Sequence, residues 1–387
     1  MEPTTIQLLW FILIAVLWIG YFTLEGFDFG VGMLLKLLPR NEKERRVALT
    51  SIGPHWDGNE VWLLTAGGAT FAAFPAWYAL LFSGMYIPLA LILILLILRI
   101  CSLEWRKTIN TQRWRNTWDT LHTVAAWLVP FLWGVAFANF VQGMRIEVGT
   151  YESGTFIPVP ADQVSAASYA DAHHYLTGGF FSLLTPYTLL GGVVFVVLFL
   201  SHGALFLSIK TSGEMRNRAL RLARRSAPAG AGLAIIWALI AQFSYTANAI
   251  ASAIPLVISV ICLVLSVAMT LRGREMPAFL THFTAIAFLV VFIWTAIYPS
   301  VMKSSVDPGY SLSLVQASAT APTQTIMTIA ALVFVPIVLG YTAWSYWVFR
   351  RRISVEQVPD EAAGLDPRNI RSFESAGSTA ASPDSKQ

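Results

Sequence analysis

Residues 6–35 read IQLLWFILIAVLWIGYFTLEGFDFGVGMLL, about thirty residues in which only Glu25 and Asp28 are charged. At 1.5 Å per residue such a run exceeds the roughly 30 Å hydrocarbon layer of a bilayer, so it reads as a spanning helix. Eight further apolar runs lie near 60–76, 78–98, 120–141, 184–208, 228–246, 250–270, 278–298 and 325–348. Hydrophobic residues make up 56% of the 387-residue chain and charged residues 12%. The latter is about half the roughly 25% usual in soluble domains, and mean hydropathy is +0.60. A soluble protein of this size could not cover its surface with so little charge. The sequence therefore predicts an all-α integral membrane protein with nine transmembrane helices.

The loops give the orientation. Of 26 Lys and Arg residues, 24 fall in alternate loop regions around 36–46, 99–115, 210–225 and 272–274, and after residue 349. Only Arg145 and Lys303 lie on the other side. The positive-inside rule then predicts N-out/C-in. The net charge of +4 belongs to these short loops and forms no stripe interleaved with aromatics, so nucleic acid is excluded as a partner. Residues 1–353 read as the transmembrane domain and 354–387, polar and proline-containing, as a disordered cytoplasmic tail. The first run carries no leading Lys or Arg and no small-residue cleavage pattern, so no cleavable signal peptide is expected. The outer loops, about 142–180 and 299–324, are rich in Gly, Pro, Ser, Thr and Tyr and should fold over the outer face or contact a partner.

Charged groups within a span cost roughly 2.5–3.5 kcal/mol each, so each needs a reason. Glu25 and Asp28 are three apart, which places both carboxylates on one helical face among Gly20, Gly26, Gly30 and Gly32. They read either as a pair that fixes packing or as a proton or cation site. A second cluster, SIGPHWDGNEVW at 51–62, sets His55, Asp57, Asn59 and Glu60 beside Trp56 and Trp62 at the entrance of the second span. Asp57 suits a helix N-cap, and the group equally suits a proton entry. A third patch, EWRKTINTQRWRNTWDTLH at 104–122, reads as an interfacial anchor of tryptophans and arginines, with Asp119 capping the fourth span or pairing with Arg115. Cys101 and Cys262 have no C-x-x-C spacing, and His122, His202 and His282 are isolated, so no disulfide, metal or haem ligand set is readable. Phosphate-binding and hydrolase motifs are absent.

Several stretches carry a resemblance: GFDFGVGML (26–34), NEKERR (41–46), SIGPHWDGNEVWLLTAGGATFAAFP (51–75), RWRNTWD (113–119), GVAFANFVQG (134–143) and VPIVLGYTAWSYW (335–347). They resemble subunit II of the cytochrome bd-type quinol:oxygen oxidases over nearly all of residues 6–353. PHWDGNEVW, long and rich in rare residues, is the most specific of them. The resemblance implies two four-helix bundles plus one extra helix in a bacterial cell membrane, in a heterodimer with oxidase subunit I. Subunit I is expected to carry two b-type haems and haem d and to oxidise quinol; this chain is expected to bind no cofactor directly. Its implied work is assembly and proton delivery from the cytoplasm to the oxygen-reducing site. Further expected partners are quinol and membrane lipid, and a small single-helix third subunit is a further candidate. Carried over by position, Asp57 matches an acid of the family's proton path and Trp62 would line it. Asp28 matches an acid of that path or of a structural cation site, with Asp57 as the other acid allowed for such a site. Glu25, Glu60 and His55 complete the proton-path candidates; at position 60 the chain has Glu where some relatives have Gln. The alternative reading is a proton-coupled secondary transporter using Glu25 and Asp28, which would call for inverted repeats and paired broken helices.

Overall fold

The computed structural model describes residues 2–164 and 173–359. The first helix runs from α1 (Thr5–Gly20) through a π-helical turn (Tyr21–Glu25) into α2 (Gly26–Leu34). Thr4 opens it with a reciprocal capping box to Gln7. A short amphipathic helix, α3 (Glu42–Ile52), comes next and is capped by the Asn41 side chain. Glu44 in its first turn accepts from Arg218 at 2.5 Å and from the Arg40 amide at 2.6 Å. Partial burial alone would raise its carboxyl, and these bonds hold it below the usual range.

The run expected as spans 60–76 and 78–98 divides differently. It forms α4 (Trp56–Ala73), α5 (Pro75–Gly84) and α6 (Tyr86–Trp105). Phe74 leaves helical geometry just before Pro75, which disfavours the α region for the residue it follows. A second break at Met85 lets α6 run seven residues beyond the expected end. The remaining long helices are α7 (Gln112–Gln142), α8 (Pro186–Lys210), α9 (Gly213–Ser244), α10 (Ala249–Leu271) and α11 (Glu275–Ile297). After the four-residue α12 (Leu314–Ala317) comes α13 (Ala321–Val348). Among the described residues eight helices are long and apolar enough to cross a membrane; α4, of 18 residues, is not among them. Its first turns, rich in Asp57, Asn59 and Glu60, make it too polar.

The segments expected as outer loops are more ordered than their composition predicts. Strands β1 (Ile146–Glu152), β2 (Thr155–Pro158) and β3 (His173–Leu176) form an antiparallel sheet in the order β2-β1-β3. A second ladder pairs β4 (Ser300–Met302) with β5 (Leu312–Ser313). The Met144 amide donates to the Lys303 carbonyl at 2.9 Å, which ties these two loops together. Of the expected tail, Val355–Gln357 forms a 3-10 turn, and just before the tail the Ile353 amide donates to the Lys210 carbonyl at 2.7 Å. Residues 360–387 lie outside the described residues.

Lipid-soluble helices gain little from burying apolar surface against one another, so small residues and close backbones decide their contacts. The α2–α8 crossing depends on Gly30 and Gly203. A Cβ on Gly30 would stand 2.0 Å from the Phe199 carbonyl oxygen and 2.7 Å from the Gly203 Cα. The α7–α8 crossing repeats the arrangement at Gly134 with Gly191 and Gly192. Around these crossings lies a core dense in aromatics, with Trp18, Phe22, Trp133, Phe137 and Phe195 in edge-on contact. Backbone, not a flexible side chain, blocks position 30. Gly30→Ala should therefore lower the amount of folded chain in the membrane several-fold, measured by quantitative immunoblotting, whereas Gly67→Ala, which meets nothing within 4 Å, should not.

Candidate functional site

The site starts at the π-helical turn. A π turn inserts a residue into the helix and rephases the side chains beyond it. Here it ends on Glu25, and every residue of α2 after it is buried. Thr23, inside the turn, has its carbonyl oxygen 3.0 Å from His202 Nε2. A carbonyl only accepts, so that ring nitrogen carries the hydrogen.

Glu25 forms an ion pair with Arg99 of α6, and both side chains have no exposed surface. The Arg99 Nη1 also lies 3.7 Å from Glu60 Oε2 on α4, and its guanidinium sits 4.7 Å from the centre of the Phe29 ring. Asp28, one turn past Glu25, accepts from Asn59 Nδ2 at 2.7 Å. The Asn59 carbonyl in turn accepts from the Tyr346 hydroxyl of α13 at 2.7 Å. Tyr346 stacks on the buried His55 ring, with centroids 4.2 Å apart and planes within 4°. Glu25, Asp28, Glu60 and Arg99 thus join Asn59, Tyr346 and His55 in one contiguous cluster from the first helix, α4, α6 and α13. Two carboxyl groups, those of Glu25 and Glu60, share one guanidinium, and Asp28 stands one turn away.

Asp57 stands at the edge of this cluster. The structure corrects the N-cap expectation: His55 takes the cap position without a side-chain bond, and Asp57 lies exposed in the first turn of α4, where the helix dipole favours an anion. Trp62 packs its ring over Gly20, so closely that a Cβ there would come within 2.2 Å of it. The two acids allowed for a cation site have different surroundings, Asp28 buried against Asn59 and Asp57 on the surface. Among the described residues no group of three or more His, Cys, Asp and Glu side chains forms a metal-holding set.

The patch at 104–122 is also more than an anchor. Arg106, nearly buried, reaches Asp119 through Nε at 2.5 Å and Nη2 at 3.1 Å, and Glu42 through two bonds of 2.9 Å. Asp119 therefore pairs with Arg106, and Arg115 turns to Glu42 at 3.8 Å. The expected i, i+4 pair yields to a fork that reaches two carboxylates at once. Sequence reasoning missed Arg99, counted as a loop residue, and Tyr346, read as part of an apolar span. Arg99 does end a 38-residue uncharged run, Val61–Leu98, and a lone arginine there, opposite intramembrane acids, was a usable signal.

A family model described as cytochrome bd terminal oxidase subunit II matches residues 6–349. Cytochrome bd ubiquinol oxidase subunit 2 of Bacillus subtilis (strain 168) is 37% identical over 351 residues, covering 89% of this chain and 96% of that protein. Cytochrome bd-I ubiquinol oxidase subunit 2 of Escherichia coli (strain K12) is 34% identical over 385 residues, covering 91% and 96% respectively. The fold is similar to a chain in the structure of bd oxidase from Geobacillus thermodenitrificans, with TM-score 0.69 and 16% identity, over 89% of this chain and 99% of that one.

Removing one member of a buried ion pair strands the other, at a cost of about 3–5 kcal/mol. Arg99→Gln should therefore strongly reduce the amount of chain recovered from membranes. The double variant Glu25→Gln/Arg99→Gln should recover part of that loss. Recovery and thermal stability of the single and double variants give the check.

Proposed function

The chain belongs to the cytochrome bd terminal oxidase subunit II family, and from that premise we propose that it serves its oxidase as a haem-free subunit that supplies protons. It is a component of a bacterial membrane oxidoreductase complex. In the proposed assembly it forms a heterodimer with subunit I, which carries the haems and oxidises quinol. Nine crossings are proposed, with α4 as the ninth. Its polar first turns are tolerable because Asn59 and Glu60 face the first helix, α6 and α13 rather than lipid. The segregation of Lys and Arg supports N-out/C-in. The two-bundle arrangement of the crossings is part of the same proposal.

One observation carries the proton-path reading: a surface acid, Asp57, stands at the start of the helix that brings Glu60 and Asn59 to the buried acids Glu25 and Asp28. Reducing oxygen to water consumes one proton per electron. Taking those protons from the inner side, while quinol releases its own outside, would make the cycle electrogenic without a pump. Asp57 would collect a proton at the helix N-terminus, and Glu60 would hand it toward Glu25. Arg99 would keep the buried site anionic enough to take a proton and polar enough to release it. His55 and Tyr346 would fix the position of Asn59 and hence of Asp28, and Trp62, seated on Gly20, would close the apolar side of the path.

The partner surface suggested for subunit I includes α13, whose spanning window has no buried residue, and the face of α4 carrying Leu64 and Phe71. The transporter reading is not favoured. Glu25 and Asp28 are already held by Arg99 and Asn59, whereas a coupling site must bind and release its ion.

Asp57→Asn tests the path. Oxygen consumption by the assembled oxidase should fall by roughly tenfold or more, with its reduced-minus-oxidised haem spectrum unchanged. Unaltered turnover at normal haem content would reduce the chain to a scaffold.

A further inference from the structure

At the basic end of the helices the ammonium of Lys210 has no carboxylate partner among the described residues. This side chain closes α8, is 6% exposed, and donates to the Phe349 carbonyl. A lysine has three donors, and among the described residues no other acceptor meets them. Burying a cation without a counter-charge is costly, and the surroundings add to the imbalance. Lys210 lines a cavity of about 570 Å³ between α3, the end of α8 and the chain leaving α13. Arg46, Arg351 and Arg352 line it as well, and among the described residues no acidic side chain does. Arg352 is engaged by the Ser208 and Thr211 carbonyls at 2.9 and 2.8 Å and by Glu275 at 2.8 Å. Arg46 donates to the Pro359 carbonyl at 2.8 Å. Arg351 is exposed and makes no ion pair among the described residues. Thr50 and Ser51 add two hydroxyls to the wall.

A second cavity of about 520 Å³ shares Arg46, Thr50, Pro54 and Phe349 with the first. It adds Lys107 and an apolar side of Leu49, Trp56 and Leu103. Its two acids, Glu42 and Glu104, are outnumbered by Arg46, Arg106, Lys107 and Arg115, and Glu42 is already held by Arg106. The joined cleft therefore offers a cationic pocket beside an apolar wall at the end of the spanning helices.

We propose that this cleft binds a phosphate group at the membrane surface, seated between Lys210, Arg46 and Arg351. The shared chemistry is that of an anionic phospholipid headgroup and of a free phosphate; the apolar wall of Leu49, Trp56 and Leu103 fits an acyl chain as well. An anion here would neutralise the buried Lys210 and join α3, α8 and the end of α13, the helix that presents Tyr346 to Asn59.

The test uses the intact, delipidated oxidase complex in neutral detergent. Phosphatidylglycerol is titrated in and bound copies are counted by native mass spectrometry, with inorganic phosphate as competitor. Wild type and R225Q, a charge change on α9 outside this cleft, should hold one tightly bound copy. R46Q/R351Q should bind that copy about tenfold or more weakly, and R351Q alone should lie between. Competition by inorganic phosphate at its own binding concentration would assign the site to a free anion; its failure to compete would assign it to the lipid. Should the double variant not assemble, R351Q, which removes no ion pair or hydrogen bond among the described residues, decides alone. A wild type that holds neither probe, or an R225Q loss equal to that of R46Q/R351Q, would overturn the proposal.

Discussion

Arg99 is the only cation in contact with Glu25 and Glu60 among the described residues, and the interior of this chain is arranged around that fact. A guanidinium with no exposed surface requires carboxylates close by, or its charge would keep α6 from lying against the first helix. Glu25 supplies the nearest one, from the end of a π-helical turn that sets its phase relative to Asp28. The tight glycine crossings of α2 on α8 hold that turn in place, and His202 engages its Thr23 carbonyl. Packing, backbone irregularity and charge are thus one construction. The ion pair makes the buried acids tolerable, and the acids make the buried arginine tolerable.

The same arrangement gives the interior chemical capacity. Two carboxyl groups on one arginine, with Asp28 a turn away, can exist with different numbers of protons, whereas a one-to-one pair is locked. Asn59 cannot relay a proton as readily as a carboxyl or water, so its bonds to Asp28 and Tyr346 act to position them. Asp57, exposed at the helix N-terminus, would receive solvent protons in the proposed path. This ordering of surface acid, intermediate acid and buried pair is what the proposed proton path would contribute to the oxidase.

Much of this was legible in the sequence, and for physical reasons. Apolar length identifies spanning helices directly, since the bilayer sets a minimum run, and acids within such runs announce themselves by their cost. Glu25, Asp28, Asp57 and Glu60 were therefore visible, as was the family through PHWDGNEVW. The hidden features depend on three-dimensional phase or on distant partners. Nothing in YFTLE marks a π-helical turn. Arg99 borders the basic loop, and only the longer course of α6 draws it inward. Tyr346 lies nearly three hundred residues from Asn59, and aromatics are common near helix ends. The break at Phe74–Pro75 was signalled by proline, yet a single proline is tolerated within α7, α9, α10 and α13. Arg106 shows the limit of local rules: an i, i+4 pairing looked natural for Asp119, and a distant fork gave the better geometry.

The most direct measurement of the central claim is an infrared difference spectrum of the whole oxidase between its oxidised and reduced states, recorded in the carboxyl-stretching region. If the buried cluster takes up and releases protons in the cycle, a carboxyl band should appear in the wild type. That band should vanish or shift in assembled Glu25→Gln or Asp28→Asn enzyme, and haem features should be unaltered. Carboxyl bands identical in the wild type and both variants would show that these acids keep their protonation throughout and only hold the helices together.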